Sequence, residues 1–274
     1  MLITGTSSGF GKLAALKFAR GGDRVFASMR DTSKGAELQK IADDEGLALS
    51  VIQLDVLDDA SVKKAVETVL NDAGSIDILV NNAGSEIRGA IEDVDDDEAR
   101  WQFDTNFFGV LRVLRAALPS MRERGAGRVV NVSSVAGLVA RPYGGMYAAS
   151  KHALEGATEA LHWELNPFGV RVALVEPGAY RTEFANNARD ARRHADGSPY
   201  RATSDRFDQA ITKLLGQDQD PQEVADMIHT AAYDESPRLR YVVGADANLI
   251  TTVRKQTDFE GFGQAMRQAM DWWE

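Results

Sequence analysis

With 274 residues, of which 44% are hydrophobic and 26% charged, the chain has the make-up of an ordinary globular protein, and a disordered or fibrous architecture is excluded. The absence of cysteine excludes a disulfide framework and a thiolate zinc site and suits a reducing compartment, so a cytoplasmic location is expected. A net charge of -10, from 31 basic and 41 acidic residues, disfavours nucleic acid and anionic lipid as partners, and no apolar run reaches the roughly 20 residues of a membrane helix.

Met1 leads straight into Leu2-Ile3-Thr4, a first strand with almost no lead-in, as a missing stub or a misplaced start would leave it. No basic segment followed by an apolar stretch precedes it, so export is not expected. Thr4-Gly5-Thr6-Ser7-Ser8-Gly9-Phe10-Gly11 follows, and then a helical segment from Lys12 to Arg20. Glycines here let backbone N–H groups approach a pyrophosphate closely, and a helix start adds partial positive charge, so this turn is predicted to bind phosphate. A tight connection that binds nothing would use the same glycines, and the motif alone does not separate the two.

Seven short apolar runs, near residues 1–4, 24–29, 49–54, 77–81, 127–133, 170–175 and 239–243, alternate with helical patterns. That alternation predicts βαβ units and a parallel sheet. Asn81-Asn82-Ala83-Gly84 closes the fourth run. Phe107, Val110, Leu111, Leu114, Leu118 and Met121 then recur at spacings of three and four, predicting a long helix with one apolar face and Pro119 bending its end. Asn131-Val132-Ser133-Ser134 ends the fifth run, and a helix is predicted from about Gly145 to Leu165, with Pro167 just past its end. Tyr147-Ala148-Ala149-Ser150-Lys151 opens that helix, and a spacing of four puts Tyr147 and Lys151 on one face, a turn apart. Residues 183–216 break the rhythm and are predicted to be an insertion over the sheet edge of a single domain spanning 1–274. It is expected to be helical around Arg206 to Leu215 and to act as a mobile lid, with Phe184, Phe207, Ile211 and Leu214 lining a pocket.

Taken in order, Thr4 to Gly11, Asp55, Asn81 to Gly84, Asn106, Ser134, Tyr147, Lys151, and Pro177-Gly178 with Thr182 resemble the short-chain dehydrogenase/reductase family, in its branch of about 250 residues with TGxxxGxG and YxxxK motifs. Singly, each residue has a plainer role as a turn, cap, surface charge or helix-start aromatic, and only the ordered set outweighs that. The resemblance implies an α/β doubly wound Rossmann fold, with a seven-stranded parallel sheet in the order 3-2-1-4-5-6-7 and helices on both faces. It implies a cofactor cradle of Gly5, Thr6, Ser8, Gly9, Phe10 and Gly11 with Asn82, Ala83 and Gly84. Asp55 and Val56 are expected at the adenine, and Pro177, Gly178 and Thr182 near the carboxamide or phosphates. Phe10 stands where the family usually has Ile, which should alter only packing.

The chemistry implied is hydride transfer between a nicotinamide and a carbonyl or secondary alcohol. A phenol can protonate the alkoxide formed on reduction, or act as phenolate base in reverse, and Tyr147 is assigned that role. Lys151 is expected to favour the phenolate and to hold the nicotinamide ribose. Ser134 would hold the substrate oxygen, and Asn106 corresponds to the family residue that holds a relay water. NADP(H) is expected in preference to NAD(H), because Met29 stands where NAD sites usually place an acid and Arg30, next to it, can pair with a 2′-phosphate. His152, His162, His194 and His229 lack metal-ligand spacing, so no metal is expected.

The late segment through Tyr241 to Asp246 resembles dehydrogenases of steroid-like, retinoid-like or other apolar alcohols and ketones, and an acyl-carrier-protein ketoreductase fits it poorly. The alternatives are an NAD-dependent alcohol dehydrogenase and a catalytically idle NADP(H)-binding sensor. A homodimer or homotetramer formed through the helices near residues 96–123 and 146–166 is expected, with a small-molecule carbonyl or alcohol as substrate.

Overall fold

A computed structural model describes residues 1–194, 197–215 and 219–270, with the backbone alone at 214 and 215. The main strands are β1 (Leu2–Thr4), β2 (Val25–Met29), β3 (Leu49–Gln53), β4 (Ile78–Asn81), β5 (Gly127–Val132), β6 (Val170–Pro177) and β7 (Arg240–Val243). They form one parallel sheet in the order 3-2-1-4-5-6-7, as the resemblance implies.

Most strand residues are buried because helices cover both faces, which is why the strands read as nearly continuous apolar runs. Successive side chains alternate between two cores. Ile3, Ala27, Val80, Val130 and Ala173 pack with α1 (Gly9–Arg20), α2 (Ala36–Glu45) and α9 (Gln222–Tyr233). Leu2, Phe26, Leu79, Val129 and Val172 pack with α3 (Asp59–Ala73), α5 (Gly109–Arg124) and α6 (Gly145–Leu165). Pro119 lies inside α5, which continues past it to Arg124.

All seven strands run the same way, so Thr4, Met29, Asn81, Val132, Pro177 and Val243 end at one rim, where doubly wound sheets place their ligands. At that rim Asn81 donates to Asn131 at 2.8 Å across β4 and β5, and Asn131 donates to Thr158 of α6 at 3.0 Å. These buried amides fix α6 against the sheet.

A second, two-stranded parallel pair, Ile87–Arg88 with Arg189–Asp190, draws the chain after β6 across to the chain after β4. It was not foreseen from sequence. The segment expected to be an insertion contains α7 (Glu183–Asn187) and α8 (Arg201–Leu215), the latter beginning before Arg206. The chain continues through α10 (Ala245–Gln256) and α11 (Phe259–Met270), and Trp272 and Trp273 lie outside the described residues.

Candidate active site

The turn between β1 and α1 is locked to the end of β4 by contacts that only glycines allow. Gly5 has φ +72°, and a Cβ on it would stand 2.7 Å from the Ala83 Cα. A Cβ on Gly11 would stand 2.4 Å from both the Asn82 side-chain nitrogen and the Gly5 carbonyl oxygen. Thr4 completes the lock, its hydroxyl accepting from the amides of Asn82 and Ala83 at 3.0 Å each, while the Asn82 side chain donates back to Thr4 and Gly5 carbonyls at 2.9 and 3.0 Å. The Asn-Ala-Gly motif thereby serves as a buttress for the glycine turn.

Gly5, Ser7, Ser8, Gly9 and Phe10 line a cleft of about 1100 Å³ at the rim of the sheet. Thr6 does not line it, because its amide and its hydroxyl both donate to the Ser28 carbonyl, at 3.0 and 3.2 Å. Gly11 is buried beneath it. Ser8 is the N-cap residue of α1 and makes no side-chain capping bond, so the helix start and its hydroxyl face the cleft together.

At one end the cleft is walled by Met29, Arg30, Lys34, Asp55 and Val56. Asp31 caps the turn that follows, accepting from the Ser33 amide and hydroxyl at 3.1 and 2.7 Å. Lys12 is paired with Glu37 at 2.8 Å. In the middle lie Asn82, Ala83 and Gly84 with Pro177, Gly178 and Thr182. Gly178 admits no side chain, because a Cβ would stand 2.0 Å from Asp246, whose carboxylate accepts from the Ala179 amide at 2.7 Å.

Ser134, Tyr147 and Lys151 meet in the cleft opposite the glycine turn. Ser134 accepts from the Ala136 amide at 3.1 Å, and its hydroxyl donates to the Pro177 carbonyl at 3.4 Å. Lys151 is buried, with its Nζ donating to the Val132 carbonyl at 2.9 Å. Asn106 lies in a single π-helical turn, Asp104–Phe108, between α4 (Asp96–Phe103) and α5. Such turns recur at functional sites. Asn106 is fully buried, accepting from the Ser85 amide at 2.9 Å and donating to the Ser85 carbonyl and to the Ser150 hydroxyl at 2.9 and 3.0 Å. Ser150 in turn donates to the Tyr147 carbonyl at 2.7 Å, so a chain of bonds joins Asn106 to the start of α6. A Cβ on Gly84 would stand 3.4 Å from Asn106 and 3.9 Å from Lys151 Nζ, which places that glycine between the two.

Burial, and next the carboxylate of Glu86, push the Tyr147 phenol above its ordinary value, while the Ser134 hydroxyl and Arg141 pull it down. Burial also brings Lys151 down to about 8, and only the Glu155 carboxylate works against that. Glu86 and Arg141 had no sequence signal. They form an ion pair across 55 residues, with Glu86 buried and Arg88 3.8 Å away on its other side.

The other end of the cleft is walled by Trp101, Val139, Phe184, Phe207, Ile211 and Phe262. Leu214, also expected there, lies outside the described side chains. Among the described residues no helix is long and apolar enough to cross a membrane, and no group of three or more His, Cys, Asp or Glu side chains is arranged to hold a metal.

The family profile for short chain dehydrogenase matches residues 1–193. The chain is 39% identical over 258 residues, 92% of its length and 91% of the other's, to the uncharacterized oxidoreductase YusZ of Bacillus subtilis. It is 38% identical to human 17-beta-hydroxysteroid dehydrogenase type 1, covering 88% of this chain and 76% of that one. Among solved structures, a short-chain dehydrogenase from Streptomyces avermitilis superposes with a TM-score of 0.80 at 35% identity over 97% of both chains. A gluconate 5-dehydrogenase from Burkholderia cenocepacia in complex with NADP and tartrate gives a TM-score of 0.76 at 27% identity, covering 90% and 94%. A family protein from Burkholderia phymatum in complex with NAD gives 0.81 at 27%, covering 93% and 92%.

Proposed function

Since the chain belongs to the short-chain dehydrogenase/reductase family, whose oxidoreductases act on CH–OH groups with NAD(P), we propose that it is an NADP(H)-dependent reductase of apolar ketones, with Tyr147 as the proton donor. The observation that carries this reading is the meeting of Ser134, Tyr147 and Lys151 in one cleft with the glycine turn. The turn suits a dinucleotide, because Gly5 and Gly9 line the cleft with bare backbone at the start of α1.

Bound there, the nicotinamide supplies the hydride in reduction or accepts it in oxidation. Ser134 and the Tyr147 hydroxyl both face the cleft and can hold a carbonyl oxygen between them. As the carbon is reduced, charge develops on that oxygen, and the phenol O–H transfers its proton there. A phenol held above its ordinary pKa is protonated at neutral pH, which is the form that reduction consumes. Lys151, anchored to the Val132 carbonyl, keeps a positive charge beneath the site where phenolate forms. The bonds from Asn106 through Ser150 hold the backbone of Tyr147 in place.

The apolar substrate reading is supported by the aromatic and aliphatic end of the cleft, to which residues 183–216 contribute Phe184, Phe207 and Ile211. The named steroid dehydrogenase relative points the same way. The test is to follow oxidation of NADPH, with NADH in parallel, against steroid-like, retinoid-like and long-chain ketones. Turnover of at least one with NADPH is expected. Cofactor binding without turnover on any would favour the idle binder.

A further inference from the structure

We infer that Glu155 and Glu176 hold one proton between them and act as a positioning pair that keeps the Lys151 ammonium charged, an assignment that rests on the catalytic reading above. The two carboxyls come from different elements, Glu155 from α6 one turn beyond Lys151 and Glu176 from the end of β6, and they are 4% and 0% exposed. Each gives one oxygen to the same nitrogen, Nη1 of Arg240 at the start of β7, with Glu176 Oε1 at 2.6 Å. The other terminal nitrogen of Arg240 is taken by Glu159, which is largely solvated. Three carboxyls thus share one guanidinium.

The remaining oxygens, Glu155 Oε1 and Glu176 Oε2, are buried and have no hydrogen-bond donor. Two adjacent buried carboxylates cannot both stay ionised on half a guanidinium, and an acceptor without a donor costs free energy. A single shared proton answers both demands, because it removes one negative charge and turns one acceptor into a donor. Burial, and next the Glu155 carboxylate, push the Glu176 carboxyl up to about 7, the direction a shared proton requires.

That charge matters to the cleft. A Cβ on Gly137 would stand 2.8 Å from Glu155 Cγ, 3.0 Å from its Oε1 and 2.8 Å from the Ser133 hydroxyl, so the pair packs directly behind the loop that carries Ser134. The charged groups facing the pair are Arg240 from β7 and Glu159 and Lys151 from α6. Asp246 of α10, the helix packed on the same loop, is satisfied by the Ala179 amide and the Gln219 side chain. Glu86 and Arg141 act from the far side of Tyr147. Glu155 is therefore the anion that opposes the burial of Lys151, and Glu176 shares its guanidinium nitrogen and its proton.

Two isosteric variants of the full chain separate this from a merely structural role. Glu155→Gln removes the anion, so the pH above which NADPH affinity and kcat/KM decline is expected to fall by about one unit. Glu176→Gln leaves Glu155 as the anion and is expected to move the same limb less than Glu155→Gln does. An unmoved limb in Glu155→Gln, or a shift in Glu176→Gln as large as that in Glu155→Gln, would overturn the proposal. Where a variant does not fold, carboxyl-carbon NMR of the wild-type protein decides. A glutamate titrating at least about two units above the ordinary value supports the shared proton, and ordinary titration of every glutamate refutes it. The binding and NMR arms need no turnover, so a wild type that binds NADPH yet reduces no ketone fails the catalytic reading separately.

Discussion

The Nζ of Lys151 stands 5.7 Å from the centre of the Tyr147 ring while donating to the Val132 carbonyl at 2.9 Å, so the strand end, and not the phenol, holds the ammonium in place. The two side chains therefore fail differently. Tyr147→Phe keeps the ring and its packing but deletes the proton, and turnover is expected to fall about 100-fold or more with NADPH affinity within a few-fold. Lys151→Ala removes a charge from beneath the site and is expected to weaken both turnover and binding. Steady-state kinetics with fluorescence titration of NADPH measure this, and near-wild-type turnover in Tyr147→Phe would end the proposed mechanism.

Glu86 sets the acidity of that phenol from outside the motif. Its carboxylate raises the Tyr147 pKa, second to burial, and Arg141 lowers it. Glu86→Gln removes the group that opposes phenolate and releases Arg141 from its ion pair, and both effects favour the base form. In alcohol oxidation, which requires phenolate, activity rises as pH approaches the phenol pKa from below. The rising limb is expected to move to lower pH in the variant, as a pH–rate profile of oxidation would show. An unmoved limb, or one displaced upward, contradicts the assignment.

What the sequence made legible was local. The glycine turn and the Tyr-to-Lys spacing are each carried by a few adjacent residues whose backbone demands or helical period can be read directly, and the strands by their buried runs, whereas the buttressing by Asn82 to Gly84 lies in hydrogen bonds to Thr4 and Gly5, 77 to 79 residues away. Glu86 with Arg141, and Arg240 with Glu155 and Glu176, are separated by 55, 85 and 64 residues. Only the crossover connections bring them together, and a charged residue in a sequence carries no mark of its distant partner. The π turn that seats Asn106 was hidden for another reason. Phe107 and Val110 continue the apolar stripe of α5, so periodicity reads through the turn as plain helix.

The buttress predicts a sharp contrast between two glycines. Gly11→Ala would drive a methyl group to 2.4 Å from both Asn82 Nδ2 and the Gly5 oxygen, the two partners whose hydrogen bond closes the turn. Overpacking of this kind costs about 1–3 kcal/mol. Weaker NADPH binding should accompany it, because the displaced backbone lines the cleft. Gly156, in the middle of α6, has nothing within 4 Å of its Cβ position, and Gly156→Ala should stabilise by up to about 1 kcal/mol through helix propensity alone. Thermal denaturation of both variants checks the contrast, and equal Tm changes would refute it.

Assembly is testable from the outer surface. Trp163 near the end of α6 is 73% exposed, and Phe108 and Phe168, which flank α5 and α6, are each about half exposed. Packing α5 and α6 against a second copy would cover such side chains. A homodimer or homotetramer through α4, α5 and α6 is expected, with Trp163→Arg shifting it toward monomer. Light scattering that finds only the 29.8 kDa species at micromolar concentration would refute this.

Cofactor choice turns on Arg30, which is exposed and lines the cleft directly after the buried Met29. NAD sites usually place an acid at the end of the second strand, where it binds a 2′-hydroxyl and repels a 2′-phosphate, and Met29 can do neither. Asp31 stands next to Arg30, but its carboxylate is engaged by the Ser33 amide and hydroxyl, with its pKa held down by those bonds. It serves the turn, with Lys34 and Arg30 adding smaller pulls on the same carboxylate. Lys12, the other nearby cation, is occupied by Glu37, whereas Lys34 shares the wall with Arg30. A charge-assisted contact from Arg30 to the phosphate is worth about 1.5–3 kcal/mol, or roughly 10-fold to 150-fold in preference for NADP(H). Arg30→Ala should therefore lower kcat/KM with NADPH by that factor and leave NADH nearly unchanged, and Lys34→Ala should have the smaller effect because a lysine offers no planar fork. Equal kcat/KM for the two cofactors in the wild type, or a preference that survives Arg30→Ala, would show that Arg30 does not read the phosphate.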